Sequence, residues 1–212
     1  MKKRSPKPPV VVRTIGHSTR TIEDFSALLS AHRIDRLVDV RTVPRSRHNP
    51  QFNKDTLPAA LRASGIKYQH LPGLGGLRHA RPDSRNMGWR NTSFRGYADY
   101  MQTPEFVESL DRLIALASKE RVAIMCAEAV PWRCHRSLIA DALVVRKIQA
   151  EEIVSRIRTT PHSLTAFAKV RGKTITYPKP AADTQGPRKR AAASTSASRT
   201  RARAGSGTRK RN

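Results

Sequence analysis

The sequence predicts an α/β fold: a single three-layer domain with a mostly parallel sheet of about five strands, flanked by basic extensions. Two observations carry this prediction. Between residues 10 and 170, apolar runs of strand length alternate with stretches of helical periodicity, as in βαβ units. Outside those limits the apolar residues fall away and positive charge dominates. The expected organisation is a basic extension over residues 1–9, an α/β domain over residues 10–170 and a basic tail over residues 171–212.

Each element has its own signal. Val10 to Ser18, VVVRTIGHS, reads as a first strand entering a polar turn. Thr21, with Asp24 three residues on, resembles a capping box, and Phe25, Leu28, Leu29 and His32 recur on one helical face. Arg36 to Arg41 reads as a second strand one crossover later, so a right-handed unit with parallel strands is expected. A helix from Lys54 to Ser64 is stopped by Gly65 and leads to a third strand, Ile66 to Leu71.

The long stretch from Pro72 to Tyr97 has little periodicity and is long for an idle connection, as functional lids often are. Its short Gly-rich part, LGG, is too poorly spaced to be a phosphate-binding fingerprint. Helices are expected over Phe94 to Met101 and over Pro104 to Ser118, the latter opened by Pro104 and Glu105. Val122 to Met125 forms a buried strand, Ser137 to Val145 a helix, and EEIVSRIRT from Glu151 a fifth strand. SLTAFAKV, ending at Val170, is expected to be a short helix or a further strand.

The chain has 212 residues, 38% of them hydrophobic, and a formal net charge of +25. Hydrophobic content is low for a wholly globular protein of this length. The extensions explain it: Arg171 to Asn212 holds 12 Lys and Arg against the single Asp183, and Met1 to Arg13 holds five basic residues and no acid. GPRKRAAASTSASRTRARAGSGTRKRN has no aromatic, Ile, Leu or Val residue, so disorder is expected there. Clustered Lys and Arg attract nucleic-acid phosphates by counterion release, without base specificity, so nucleic acid is the expected partner of the tail. Equally, the tail could be only solubilising. With no amphipathic apolar face, no membrane-span run and no signal-peptide core, the expectation is a cytoplasmic protein without membrane association.

The densest chemistry lies where the strand Val122 to Met125 enters a loop carrying Cys126, Glu128, Arg133, Cys134, His135 and Arg136. In parallel sheets ligands collect at the carboxyl ends of strands. His17 and Ser18 after the first strand, and Asp39 and Arg41 in the second, would meet these groups at one edge. Cys126 is the candidate nucleophile or redox thiol, because arginines, His135 and a helix N-terminus lower a thiol pKa, although a cysteine ending an apolar strand is more often core. Glu128 and His135 are the candidate acid-base groups, with ion pairing and structural hydrogen bonding as their alternatives. His17, Ser18, Asp39, Arg41, Arg133, Cys134 and Arg136 are candidate substrate-binding residues, with the arginines holding an anion.

No cofactor and no metal is expected. A zinc site from Cys126, Cys134 and His135 with His17 as fourth ligand is disfavoured, because C-x7-C-H is an unfamiliar spacing and adjacent helical residues point apart. Trp89, Phe94, Tyr97 and Tyr100 lie among arginines and could either stack on nucleotides or anchor their loop to the core.

The order of strand, cysteine, loop, arginine and helix is similar to that of rhodaneses and cysteine phosphatases. Here, however, six residues rather than five separate Cys126 from Arg133, and Glu128 and Pro131 sit where an anion cradle wants small, non-acidic residues. TIGHS at Thr14 to Ser18, DVR at Asp39 to Arg41, LGG at Leu74 to Gly76, FRGYADYM at Phe94 to Met101, and CAE followed by CHRSLIAD at Cys126 to Asp141 together resemble the bacterial family catalogued as domain of unknown function 488. That resemblance implies a compact α/β domain with a polar cluster at these motif positions, and brings with it no reaction, cofactor or substrate.

Two functions are compatible with this reading. One is a small cysteine-dependent enzyme acting on a phosphorylated or nucleic-acid-linked substrate. The other is a non-catalytic nucleic-acid-associated binding module.

Overall fold

The computed structural model describes residues 9–180. Strand β1 (Val11–Gly16) is followed by helix α1 (Ile22–Ala31), β2 (Arg36–Asp39), α2 (Leu57–Ala63), β3 (Lys67–His70), α3 (Thr92–Tyr100) and α4 (Pro104–Ala117). Then come β4 (Val122–Cys126), α5 (Arg136–Val145), β5 (Gln149–Ile153), β6 (Thr159–Pro161), β7 (Lys169–Arg171) and β8 (Thr174–Thr176). The Thr21 hydroxyl caps α1 by accepting from the Asp24 amide, and Gly65 takes the left-handed conformation (φ 72°) that ends the α2 region.

The main sheet has six strands in the order β3-β2-β4-β1-β5-β6; the first five run parallel and β6 antiparallel to β5. β1 and β2 are therefore parallel but not neighbours, since β4 returns between them. Two apolar layers enclose the sheet. On one side Ile15, Leu37, Ala123 and Met125 pack under α1 and α2; on the other Val12, Val38, Ile124 and Cys126 pack under α3, α4 and α5. Alternate residues of β4 face opposite layers and all five are buried, which is why the strand reads as an unbroken apolar run.

The C-terminal part departs from expectation. Residues 151–159 form not one long strand but the end of β5, a turn in which the Val154 and Ser155 amides both donate to the Arg158 carbonyl, and β6. The SLTAFAKV segment forms no helix; only its end joins the β7-β8 ribbon. The fold also continues past Val170, because Ile175 and Tyr177 are buried in the α5 layer. The reading of residues 181–212 as a disordered tail, and of residues 1–8 as a basic extension, lies outside the described residues. Among the described residues no helix is long and apolar enough to cross a membrane.

Candidate functional site

Cys126 ends β4, and the pairing of β1 with β4 persists beyond the strands: the His17 amide donates to the Cys126 carbonyl (2.9 Å) and the Ser18 amide to the Ala127 carbonyl (2.9 Å). Gly16 is required for this approach, since a Cβ there would lie 1.8 Å from the Glu128 carbonyl oxygen. The chain then passes through a short turn at Pro131–Arg133 and returns as Cys134, which is extended (φ −132°, ψ 144°), before His135 caps α5. Because Cys134 precedes the helix, it and His135 are not splayed as adjacent helical residues would be. The directional argument against a joint cluster therefore fails.

Cys126 Sγ lies 3.9 Å and Cys134 Sγ 3.7 Å from His135 Nδ1. His135 Nε2 is 3.0 Å from the Val40 carbonyl oxygen. A carbonyl only accepts, so Nε2 carries the proton and Nδ1 presents its lone pair to both sulfurs. Both thiols are free and buried, Cys126 being 8% exposed. The LGG motif contributes here, because a Cβ on Gly76 would sit 3.0 Å from His135 Nδ1. The Tyr97 ring lies 5.0 Å from the imidazole on another side and is itself fixed by its hydroxyl donating to the Leu74 carbonyl.

Within the pair, the proton belongs on Cys134. Nδ1 can take the Cys126 proton, and hydrogen bonding from Cys134, then the hydrogen bond and charge of the imidazolium so formed, with the Arg136 charge, hold the Cys126 thiol far below its ordinary range despite burial. The Cys134 thiol moves the opposite way, because it donates to Cys126 and is desolvated.

The remaining predicted residues divide into two groups. His17, Asp39 and Arg41 form one buried network: Arg41 donates through Nε and Nη2 to the Asp39 carboxylate (2.9 and 2.6 Å), and through Nη2 to the Phe52 carbonyl (2.6 Å). Arg41 Nη1 stands 3.4 Å from His17 Nε2. His17 Nδ1 donates to the Ser18 carbonyl, and its ring stacks on Phe52 at 4.3 Å. Burial, followed by the Arg41 charge, lowers the His17 pKa against the pull of the Ser18 carbonyl. His17 is thus bound elsewhere and does not join the sulfurs. Ser18 is half-buried with a left-handed backbone (φ 51°), which strains a residue with a Cβ.

Arg136 points the other way across the sheet. His135 reaches the end of β2, whereas the fully buried Arg136 donates to the Glu128 carbonyl (2.7 Å) and to Glu152 of β5 (3.2 Å). Glu152 also accepts from the Thr14 hydroxyl across the β1-β5 register. Burial outweighs both partners and pushes the Glu152 carboxyl up. Together with Arg20, Trp132 and His162, these residues line a cavity of about 430 Å³. Glu128 itself and Arg133 are exposed on the loop.

Arg41 and Arg136 are therefore committed to internal carboxylates rather than free to hold an anion. The aromatic residues of the long loop are committed too. Trp89 packs on Phe94, Phe167 and Tyr177, and Arg78 lies 3.6 Å over the Tyr100 ring, so this cluster anchors the loop instead of offering free stacking faces. Asp99 pins the same loop by accepting from the Arg81 amide, Ser84 and Asn86. Sequence reasoning missed Arg20, Glu152, His162 and Gly76. Gly76 at least lay in a motif already singled out, but the register that brings Glu152 beside Thr14 leaves no local signal.

Fold and site together define a three-layer α/β domain with a dithiol-imidazole cluster at the carboxyl edge of a parallel sheet. The chain belongs to the family described as Domain of unknown function DUF488, whose match covers residues 21–143. No curated protein and no solved structure matches the chain.

Proposed function

We propose that this protein is a small cysteine-dependent enzyme, with Cys126 as nucleophile and His135 as its acid-base partner. The observation that carries this reading is the convergence of both sulfurs on the bare Nδ1 of an imidazole whose Nε2 is tied to the Val40 carbonyl. His135 takes the Cys126 proton, and the thiolate attacks an electrophilic centre of the substrate. As the new bond to sulfur forms, the bond to the leaving group breaks with its electron pair, and His135 returns the proton to that group. Water then cleaves the bond to sulfur, releasing product and restoring the thiol. Cys134 supplies the hydrogen bond that holds Cys126 as thiolate.

The substrate class is phosphorylated or nucleic-acid-linked. Its support is the cavity lined by the loop that joins Cys126 to Cys134, where Arg20 supplies positive charge and Trp132, 71% exposed, offers a face for a planar group. Glu128 and Arg133, both exposed on the loop, are available to a bound substrate, while Asp39, Arg41 and His17 brace the edge from behind.

The test is alkylation of the full chain by iodoacetamide across pH, followed residue by residue by mass spectrometry. Cys126 is expected to label fast well below the ~8.5 of a free thiol, and Cys134 slowly. A Cys126 that is inert, or that titrates as an ordinary thiol, would remove the nucleophile.

A second reading, a nucleic-acid-associated binding module, is supported by the net charge of +25 and by Trp132 beside Arg133. It expects nucleic-acid binding unchanged by Cys126→Ser and a salt dependence flattened by deleting residues 181–212.

A further inference from the structure

The three atoms that make the thiol reactive are also those a soft metal ion would choose. Cys126 Sγ, Cys134 Sγ and His135 Nδ1 all lie within 4.8 Å of one another, with sulfur-nitrogen separations of 3.9 and 3.7 Å. A tetrahedral zinc ion with bonds of about 2.3 Å to sulfur and about 2.1 Å to nitrogen requires a sulfur-nitrogen edge of about 3.6 Å. Both sulfur-nitrogen edges thus stand within a few tenths of an ångström of that value, and the two sulfurs lie within 4.8 Å of each other, before any ion arrives. Its outer contacts fit as well. A ligating histidine characteristically donates its other ring N–H to a backbone carbonyl, which fixes the tautomer; His135 makes that bond to Val40.

We infer that Cys126, Cys134 and His135 form a three-ligand site for a zinc-class ion, whose occupancy switches off the thiol chemistry of Cys126. The inference deepens the reading of Cys126 as a nucleophile, because one sulfur cannot both bind the ion and attack a substrate. Binding replaces the Cys134 proton, and any proton that Nδ1 has taken from Cys126, with bonds to the ion and releases them to solvent, so affinity rises with pH. Among the described residues no fourth His, Cys, Asp or Glu joins the set. His17 is held by the Ser18 carbonyl and Arg41. The fourth position is therefore left to water or another small ligand, an arrangement typical of exchangeable rather than closed structural sites.

The experiment titrates the metal-free full chain with cobalt(II), then displaces it with zinc, while iodoacetamide labelling of Cys126 is followed in parallel. The expected result is a sulfur-to-cobalt charge-transfer band with tetrahedral visible bands, saturating at one equivalent and lost on adding zinc. His135→Gln should weaken binding by more than the about 10-fold that loss of an outer-shell contact costs, Cys134→Ser should remove the band, and zinc should stop labelling of Cys126. Circular dichroism checks that each variant folds, and the zinc protection test on the unmodified chain stands independently of the variants. No band, a band unaltered in both variants, or labelling unaffected by zinc would overturn the inference. Fast labelling without a cobalt band would leave the enzyme reading intact and sink the metal site. A cobalt band on a cysteine that is slow to label even without metal would leave a metal site and sink the nucleophile and the switch.

Discussion

His135 donates its Nε2 proton to the carbonyl of Val40 at 3.0 Å, and this one bond decides what Cys126 can do. It turns the lone pair of Nδ1 toward both sulfurs, and it ties the start of α5 to the end of β2. Removing the imidazole takes away one of the contacts that hold Cys126 low. In His135→Phe the pH midpoint of Cys126 labelling should rise toward the free-thiol value of ~8.5, measured by the same alkylation profile. An unchanged midpoint would mean that Cys134 alone activates the thiol.

Gly76 is expected to matter through the imidazole. Gly76→Ala puts a methyl group 3.0 Å from His135 Nδ1, so the ring must move or tilt. Labelling of Cys126 near neutral pH should fall by about 10-fold or more, the usual scale for losing a positioning contact, while thermal stability changes little. A parallel collapse of stability would instead assign Gly76 to folding.

The Arg136 to Glu152 pair is buried, so its partners are not independent. Arg136→Met leaves Glu152 an unpaired buried carboxyl and should cost about 3–5 kcal/mol in urea unfolding. Adding Glu152→Gln should recover much of that loss, a coupling that a double-mutant cycle measures. Additive effects would show that the two groups do not act as a pair.

His17 sets a pH dependence of known sign. Its folded pKa is lowered, chiefly by burial, so the folded state prefers the neutral ring. The contribution is complete above the unfolded value of about 6.5 and is lost as pH falls through that value toward the folded one. His17→Gln should make stability between neutral and mildly acidic pH fall less steeply than in the unmodified chain, by urea unfolding at each pH.

The limit of the folded domain is also testable. Tyr177 is fully buried and donates its hydroxyl to Asp141, which also holds His162 and the Thr165 amide. Tyr177→Ala should cost about 3–5 kcal/mol. A chain ending at Val170 should lose comparable stability, whereas one ending at Pro180 should not.

Local chemistry made much of this molecule legible from residues alone. The Thr21 cap, the stop at Gly65 and the apolar run of β4 are decided within one or two turns of chain, and the structure follows them. Periodicity also indicated which strand ends would carry His17, Asp39 and Cys126. It fell short at Glu151 to Val170, where similar apolar spacing suits a long strand, a hairpin or a loop, and only packing against Asp141 selects among them.

The sequence by itself determined the alternation of strands and helices, and so a parallel sheet with its reactive residues gathered at one edge. Tertiary structure alone decided which of those residues meet. Strand order put β4 between β1 and β2, an extended Cys134 let two adjacent residues converge, and the β1-β5 register set Glu152 beside Thr14, where Arg136 of α5 reaches it. The reason is physical: propensity and periodicity act over a few residues, whereas a side chain's partner depends on strand pairings between segments far apart in the chain.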